Sequence, residues 1–143
     1  MKYRNRKVIL DGIKFDSQNE AAYYLDLIEM KNNGEVINFT LQPSFVLIPS
    51  YKKYGRTIRA ITYAPDFYVQ YADGREAYVD IKGFVTEASK LRKKMFDYIY
   101  PELTLVWLTK NKAYGDKYGC IDTDKLNDII KKNKKVNKID EKY

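Results

Sequence analysis

Pro65-Asp66, followed after thirteen residues by Asp80-Ile81-Lys82, is the part of the chain best equipped for chemistry. Alternate side chains of a strand share a face, so Asp80 and Lys82 project one way while Val79 and Ile81 project into the core. Ala72-Asp73-Gly74-Arg75 reads as a hairpin turn, which brings the strand of Asp66 alongside that of Asp80. Two converging carboxylates without histidine are hard oxygen donors, suited to Mg²⁺ or Mn²⁺ rather than zinc. A lysine beside them can hold a water or offset charge growing on a phosphorane-like transition state. Asp-x-Lys on a strand is also often a cross-face ion pair worth about 0–1 kcal/mol. The preceding Pro-Asp, the connecting hairpin and the basic helix that follows favour the chemical reading.

Composition narrows the chemistry from the other side. The chain has 143 residues, 26 Lys+Arg against 19 Asp+Glu, no histidine and the single cysteine Cys120. Imidazole-based triads, His-metal nucleases, Cys-cluster zinc sites and intrachain disulfides are thereby excluded. No window approaches 18 apolar residues, and Met1-Lys2-Tyr3-Arg4-Asn5-Arg6-Lys7 leads into charged sequence rather than an apolar signal region. The expectation is a basic cytoplasmic protein with no membrane and no organic cofactor. Its chemistry must rest on carboxylates, lysines and hydroxyls.

The positive charge is clustered. Residues 1–7 carry no acid, and neither do residues 51–60, which hold Lys52, Lys53, Arg56 and Arg59. Residues 82–94 set Lys82, Lys90, Arg92, Lys93 and Lys94 against Glu87 alone. Such clusters suit a phosphate backbone, and equally a solvated surface. Tyr3, Tyr51 and Tyr54 lie beside basic residues and Tyr98 on the basic second helix, where tyrosine can stack on bases, although most tyrosines are expected at the rim of the core.

The elements that must position these residues follow from turn, cap and periodicity signals. Val8-Ile9-Leu10 and Ile13-Lys14-Phe15 form a hairpin around Asp11-Gly12. Asp16-Ser17 offers caps for a helix ending near Asn33, with Gly34 as its stop and Ala21, Tyr24, Leu25 and Ile28 as its buried face. Val36–Phe39 and Phe45–Ile48 are strand cores, and Pro49–Gly55 reads as a basic loop. Arg56–Tyr71 reads as one extended stretch interrupted by Pro65, and Ala77–Lys82 as the returning strand. Thr86 caps a helix with Ala88, Leu91, Arg92, Met95, Phe96 and Ile99 on its inner face, ended by Pro101. On the face opposite Leu91 and Phe96, Lys90, Lys93 and Lys94 suit phosphates. Leu103–Leu108 is a core strand, and residues 123–133 form a third helix with Leu126, Ile129 and Ile130 inward, followed by a frayed charged tail. The expected fold is α/β: a mixed central sheet with an α-β-β-β-α-β core flanked by helices and preceded by a short β-hairpin. It is one domain over 1–143, with its core at about 8–109 and a C-terminal extension over 110–143.

The Pro65-Asp66 and Asp80-Ile81-Lys82 pattern, with this element order, resembles the PD-(D/E)XK nuclease superfamily and its restriction-endonuclease-like fold. Residues 2–108, about three quarters of the chain, also resemble a small phage and prophage family of that superfamily. The likeness is carried by Phe15-Asp16-Ser17 through Glu20-Ala21, by Leu41-Gln42-Pro43 and by Asp80-Ile81-Lys82-Gly83. The resemblance implies a Mg²⁺- or Mn²⁺-dependent endonuclease that hydrolyses DNA phosphodiesters in line and releases a 3′-hydroxyl, in recombination or replication within a bacterial host. It implies Asp66, Asp80, the Ile81 backbone carbonyl and Glu20 as metal ligands and Lys82 as the group that positions the attacking water. Gln42 would touch substrate or water, or else satisfy a strand end. A glutamate on the first helix is similar to that of junction-resolving members, which implies branched DNA and a homodimer.

Other readings remain beside this one: an inactive nucleic-acid-binding module on the same fold, a transposition-type endonuclease subunit with a DNA-recognising partner, or a structural phage protein. Glu20 has its own rival role, because Ser17-Gln18-Asn19-Glu20 has capping-box spacing. If Ser17 is the cap, Glu20 folds back on the helix start. If Asp16 is, Glu20 is free to ligate.

Overall fold

A computed structural model describes residues 6–141; the basic start of the chain up to Asn5, with Tyr3, and the last two residues lie outside them. The first hairpin pairs β1 (Val8–Leu10) with β2 (Ile13–Phe15), and its turn residues Asp11 and Gly12 have φ of 53° and 74°. Helix α1 (Gln18–Asn32) starts at Ser17, whose hydroxyl accepts the Glu20 N–H at 3.1 Å, and stops ahead of Gly34 at φ 84°. Its buried residues are Ala21, Tyr23, Leu27 and Met30, while Leu25 is half exposed. The expected face is therefore rotated. Apolar residues run nearly all round residues 21–28, so periodicity left the phase open, and the sheet selects Tyr23 and Leu27.

The central sheet has five strands in the order β11-β10-β9-β8-β3: β3 (Val36–Leu41), β8 (Phe67–Tyr71), β9 (Glu76–Ile81), β10 (Leu105–Lys110) and β11 (Cys120–Asp122). β9 and β10 are parallel, joined over one face by α2 (Glu87–Ile99); the other pairings are antiparallel. The sheet is mixed and flanked by helices, and α1-β3-β8-β9-α2-β10 is the order of its core. Phe67, Val69, Ala77, Val79 and Ile81 pack toward α1. On the opposite face Tyr78 joins Phe45, Tyr63 and Leu47 around Phe96 of α2.

Between β3 and β8 the chain makes an excursion. β4 (Phe45–Ile48) pairs with β7 (Ile61–Tyr63), and beyond them β5 (Tyr51–Lys53) pairs with β6 (Arg56–Ile58). The expected basic loop is thus the tip of a β-arm, turned by Tyr54 and Gly55 at φ 54° and 67°. Arg56–Tyr71 is not one strand: it contributes to three separate sheets, and buried Pro65 stands at the break before β8. Gln42, at φ 48°, closes the neck of the arm by donating its N–H to the Asp66 carbonyl at 2.9 Å.

α2 is capped reciprocally by Thr86 and Ser89, but its expected inner face is largely outside. Leu91 and Ile99 are exposed, and only Phe96 is fully buried. The aromatic cluster of Phe45, Tyr63, Tyr78 and Tyr100 sets which stripe faces inward. The extension contributes edge strand β11, and α3 (Thr123–Asp140) runs through the expected frayed tail, with Leu126 buried and Ile130 exposed. Among the described residues no helix is long and apolar enough to cross a membrane.

Candidate active site

Asp66 and Asp80 meet where β8 begins and β9 ends. The register that places Phe67 opposite Val79 brings the two acids side by side. Each holds the other's strand: the Asp66 N–H donates to Asp80 Oδ1 at 2.9 Å, and the Ile81 N–H donates to Asp66 Oδ2 at 2.8 Å. Asp80 is buried at 5% exposure, deeper than a solvent-facing strand position would allow, because the α2 face of the sheet is covered as well. Its Oδ2 accepts the Tyr63 hydroxyl from the base of the arm. Trp107, beside Asp80 in the parallel register, donates its indole N–H to the Tyr63 oxygen at 3.2 Å. A buried carboxylate needs such donors, and this one has a backbone N–H, a phenol and a nearby ammonium.

That ammonium is Lys82. Its Nζ lies 3.6 Å from Asp80 Oδ2 and 4.9 Å from the centre of the Trp107 ring. Lys93 of α2 approaches the same ring at 5.8 Å and pairs with Asp97 at 3.0 Å. Lys93 therefore belongs to the inner side of α2 with Phe96, not to an opposite face. The indole gathers two cations next to two acids.

Glu20 approaches from the first turn of α1. Ser17 is the cap, so Glu20 occupies the third helical position. Burial raises its carboxyl above the ordinary range, helped by the charges of Asp16 and Asp80 and opposed by the Asp16 N–H and the Ser17 hydroxyl. The helix start and the acidic site thus both act on this side chain. Asp66 is pushed up to about 8, first by burial, then by the charges of Asp80 and Glu20, against the pull of the Ile81 N–H and Lys82. Three acids repel one another across a poorly solvated space that holds one close lysine. A divalent cation would relieve that repulsion. Among the described residues no three acidic or cysteine side chains form a complete metal cage. Mg²⁺ seldom has one: it is held by one or two carboxylates, with water and phosphate completing the shell, and Asp66 with Asp80 fits that donor set.

A recess of about 70 Å³ is lined by Glu20, Gln42 and Asp66, together with Lys14, Phe15 and Leu41. Glu20, Gln42, Asp66, Asp80, Ile81, Lys82 and Lys93 thus converge on one region. Ile81 enters through its N–H. Arg56 and Arg59 lie on the arm, Lys90 is paired with Glu87 at 3.1 Å, and Lys94 is exposed on α2. A larger cavity of about 1020 Å³, among Tyr23, Val79, Val106, Leu108 and Tyr118, shares none of the candidate residues.

Sequence reasoning missed Tyr63, Trp107 and Lys14. Tyr63 stands three residues before Asp66, and Trp107 is the only tryptophan, on the strand that follows the crossover helix. Both signals were visible, but pairing Trp107 with Asp80 needed the strand register, and pairing Tyr63 with it needed the packing of the arm on the sheet. The chain belongs to the family described as "Protein of unknown function (DUF1064)", whose sequence model matches residues 1–116. Neither the search of curated proteins nor that of solved structures found a match.

Proposed function

We propose that this DUF1064 protein is a metal-dependent endodeoxyribonuclease of the PD-(D/E)XK kind, built on a restriction-endonuclease-like core. The observation that carries the reading is the interlocked Asp66–Asp80 pair with Lys82 at 3.6 Å. The α1-β3-β8-β9-α2-β10 order supports it, since that is the core in which the motif is expected.

Asp66 and Asp80, with the Ile81 carbonyl and Glu20, would hold Mg²⁺ or Mn²⁺. Bound there, the ion would supply charge stabilisation to a scissile phosphate and acidify a water. The chain's own residues have distinct tasks. Lys82 sets a fixed positive charge beside Asp80, placed to orient the attacking water or offset developing negative charge. Tyr63 fixes the rotamer of Asp80, and Trp107 fixes Tyr63. Asp66, its carboxyl pushed up to about 8, would release its proton on holding the ion. Lys93 and Gln42 border the site where the phosphates on either side would run.

Nicking of supercoiled plasmid under Mg²⁺ and Mn²⁺ titration tests the assignment. Metal-dependent nicking that Asp80→Asn abolishes supports it; no cleavage of plasmid, junction, flap or nicked duplex with either metal overturns it. We favour branched DNA, because the described elements include no helix-turn-helix or zinc module to read base edges. Competition among junction, flap, nicked and plain duplex at one salt concentration decides the substrate. A non-catalytic binding module is the second reading. It is favoured by the full engagement of Asp80, both of whose oxygens accept hydrogen bonds from the protein. Salt-dependent DNA binding without cleavage would select it.

A further inference from the structure

The tip of the β-arm is a poor structural element. Every residue of β5 and β6 is exposed, so the tip contributes nothing to either core. Its register sets Lys53 directly opposite Arg56 and Tyr51 opposite Ile58, which puts an apolar pair and a like-charge pair on one face. Like charges directly opposite destabilise a ribbon. Residues 51–60 contain no acid, and among the described residues none of Lys52, Lys53, Arg56 and Arg59 is in a salt bridge. At the turn, Tyr54 takes φ 54°, is 86% exposed as a residue, and has the Lys53 ammonium 5.1 Å from its ring centre. Asparagine or glycine is at ease in that backbone; a tyrosine there is strained and buries nothing.

The base of the arm is the opposite: it is fixed to the site. Phe45 packs on Tyr78, Phe96 and Tyr100; the Tyr100 hydroxyl donates to the Val46 carbonyl at 2.8 Å; Tyr63 bonds Asp80. A cation-bearing ribbon with an apolar tip is thus held in set relation to the carboxylates.

We propose that the arm is a groove-entering clamp for duplex DNA, with Lys52, Lys53, Arg56 and Arg59 on the phosphates and the Tyr54 ring against the sugars that line the groove. The proposal rests on the nuclease reading and deepens it by naming the form of nucleic acid. A two-stranded ribbon fits the B-form major groove, which is about 12 Å wide. The deep, narrow major groove of A-form RNA does not admit side chains in this way. The arm therefore selects DNA duplex over RNA duplex, and backbone contacts dominate its affinity.

The test is fluorescence anisotropy of the full chain in EDTA with a labelled DNA duplex, the RNA duplex of the same sequence and the single strand, over a range of salt. The variant Lys53→Gln/Arg56→Gln is expected to bind DNA duplex roughly tenfold more weakly near ~0.1 M salt, with the log–log salt slope smaller by about 2. Lys131→Gln/Lys132→Gln, on an exposed stretch of α3 and with the same loss of charge, should leave the slope unchanged. Tyr54→Asn keeps the turn and should weaken binding without altering the slope. Because every substituted arm residue is exposed, circular dichroism should match the parent.

Parent-like affinity and slope in the arm double variant overturn the clamp, as does equal parental affinity for RNA and DNA duplexes. Parent-like affinity in Tyr54→Asn removes the ring from the groove. The nuclease reading fails separately, by the parent's failure to cleave with metal while still binding DNA through the arm.

Discussion

Asp66 and Asp80 hold each other's strands: the N–H of Asp66 donates to Asp80 Oδ1, and the N–H of Ile81, next after Asp80, donates to Asp66 Oδ2. The carboxylates are therefore part of the hairpin they would serve. Their substitution bears on stability as well as on chemistry.

Asp80→Asn is expected to lower Mg²⁺-dependent nicking by at least roughly 10²-fold, the scale of losing a transition-state contact. The amide keeps the shape, but one half of it cannot accept a bond. Denaturation should show a loss of about 1–3 kcal/mol, the cost of an impaired buried hydrogen bond. Full nicking by the purified variant would refute the site.

Lys82→Ala should slow cleavage on the order of 10²-fold while leaving the melting temperature within a few degrees. Its links to Asp80 and Trp107 are partly solvated and each is worth about 1 kcal/mol or less. A large stability loss with unchanged specific activity would mark it as an ion-pair residue only.

Tyr63→Phe removes one hydroxyl that serves two partners, Asp80 Oδ2 and the Trp107 indole N–H. The expected loss is about 1–3 kcal/mol, because a buried donor and a buried acceptor each lose a bond. Since Asp80 loses its orienting contact, the Mg²⁺ concentration for half-maximal cleavage should rise. An unchanged metal requirement in a destabilised variant would limit Tyr63 to packing.

Glu20→Gln separates ligand from cap. Glutamine serves a helix start nearly as well as glutamate, so a cap alone predicts parental activity. A ligand predicts a raised Mg²⁺ requirement at nearly unchanged melting temperature. Titrations of both proteins at one pH decide between them.

Asp66 gives the metal-free protein a defined pH dependence. Its carboxyl titrates at about 8 in the fold against an ordinary 3.8. Between those values the folded state carries the extra proton, so the free energy of unfolding falls as pH rises. The melting temperature in EDTA should decline from about pH 4 to about pH 8, and Asp66→Asn should flatten the decline. Mg²⁺ should stabilise most toward the upper end of that window, because the proton no longer competes with it. Parallel melting curves for parent and variant would remove Asp66 as the cause.

The hairpin carrying Asp66 and Asp80 was legible because local rules decide it: Asp73-Gly74 supplies a tight turn, and Gly74 has φ 93°. The cap at Thr86 and the stop at Gly34 were legible for the same reason. What required the folded chain was the choice among faces. The apolar residues of α1 surround the helix, and α2 leaves Leu91 outside because a cluster of aromatics distant in sequence takes Phe96 instead. Tyr63 and Trp107 escaped notice on similar grounds, since the indole meets Asp80 through sheet register and the hydroxyl reaches it from the separate β4–β7 pair packed on that face. The split of Arg56–Tyr71 into three strands was hidden because extended backbone reads alike whichever partner it takes.

The neck of the arm has a consequence for how the molecule can change. The bond from the Gln42 N–H to the Asp66 carbonyl joins the chain where it leaves the sheet and where it returns. What lies between is a closed side-loop, and the entropy of closing a loop grows only slowly with its length. Segments of other lengths and charges could be grafted at the exposed tip, between Tyr51 and Ile58, at little thermodynamic cost to the five-stranded sheet. The limit on such exchange is the base of the arm, where Phe45 and Leu47 pack around Phe96 and the hydroxyl of Tyr63, the last residue of β7, reaches Asp80. The fold thus separates an exposed, replaceable tip from a fixed base that is tied to the acidic pair through one phenol.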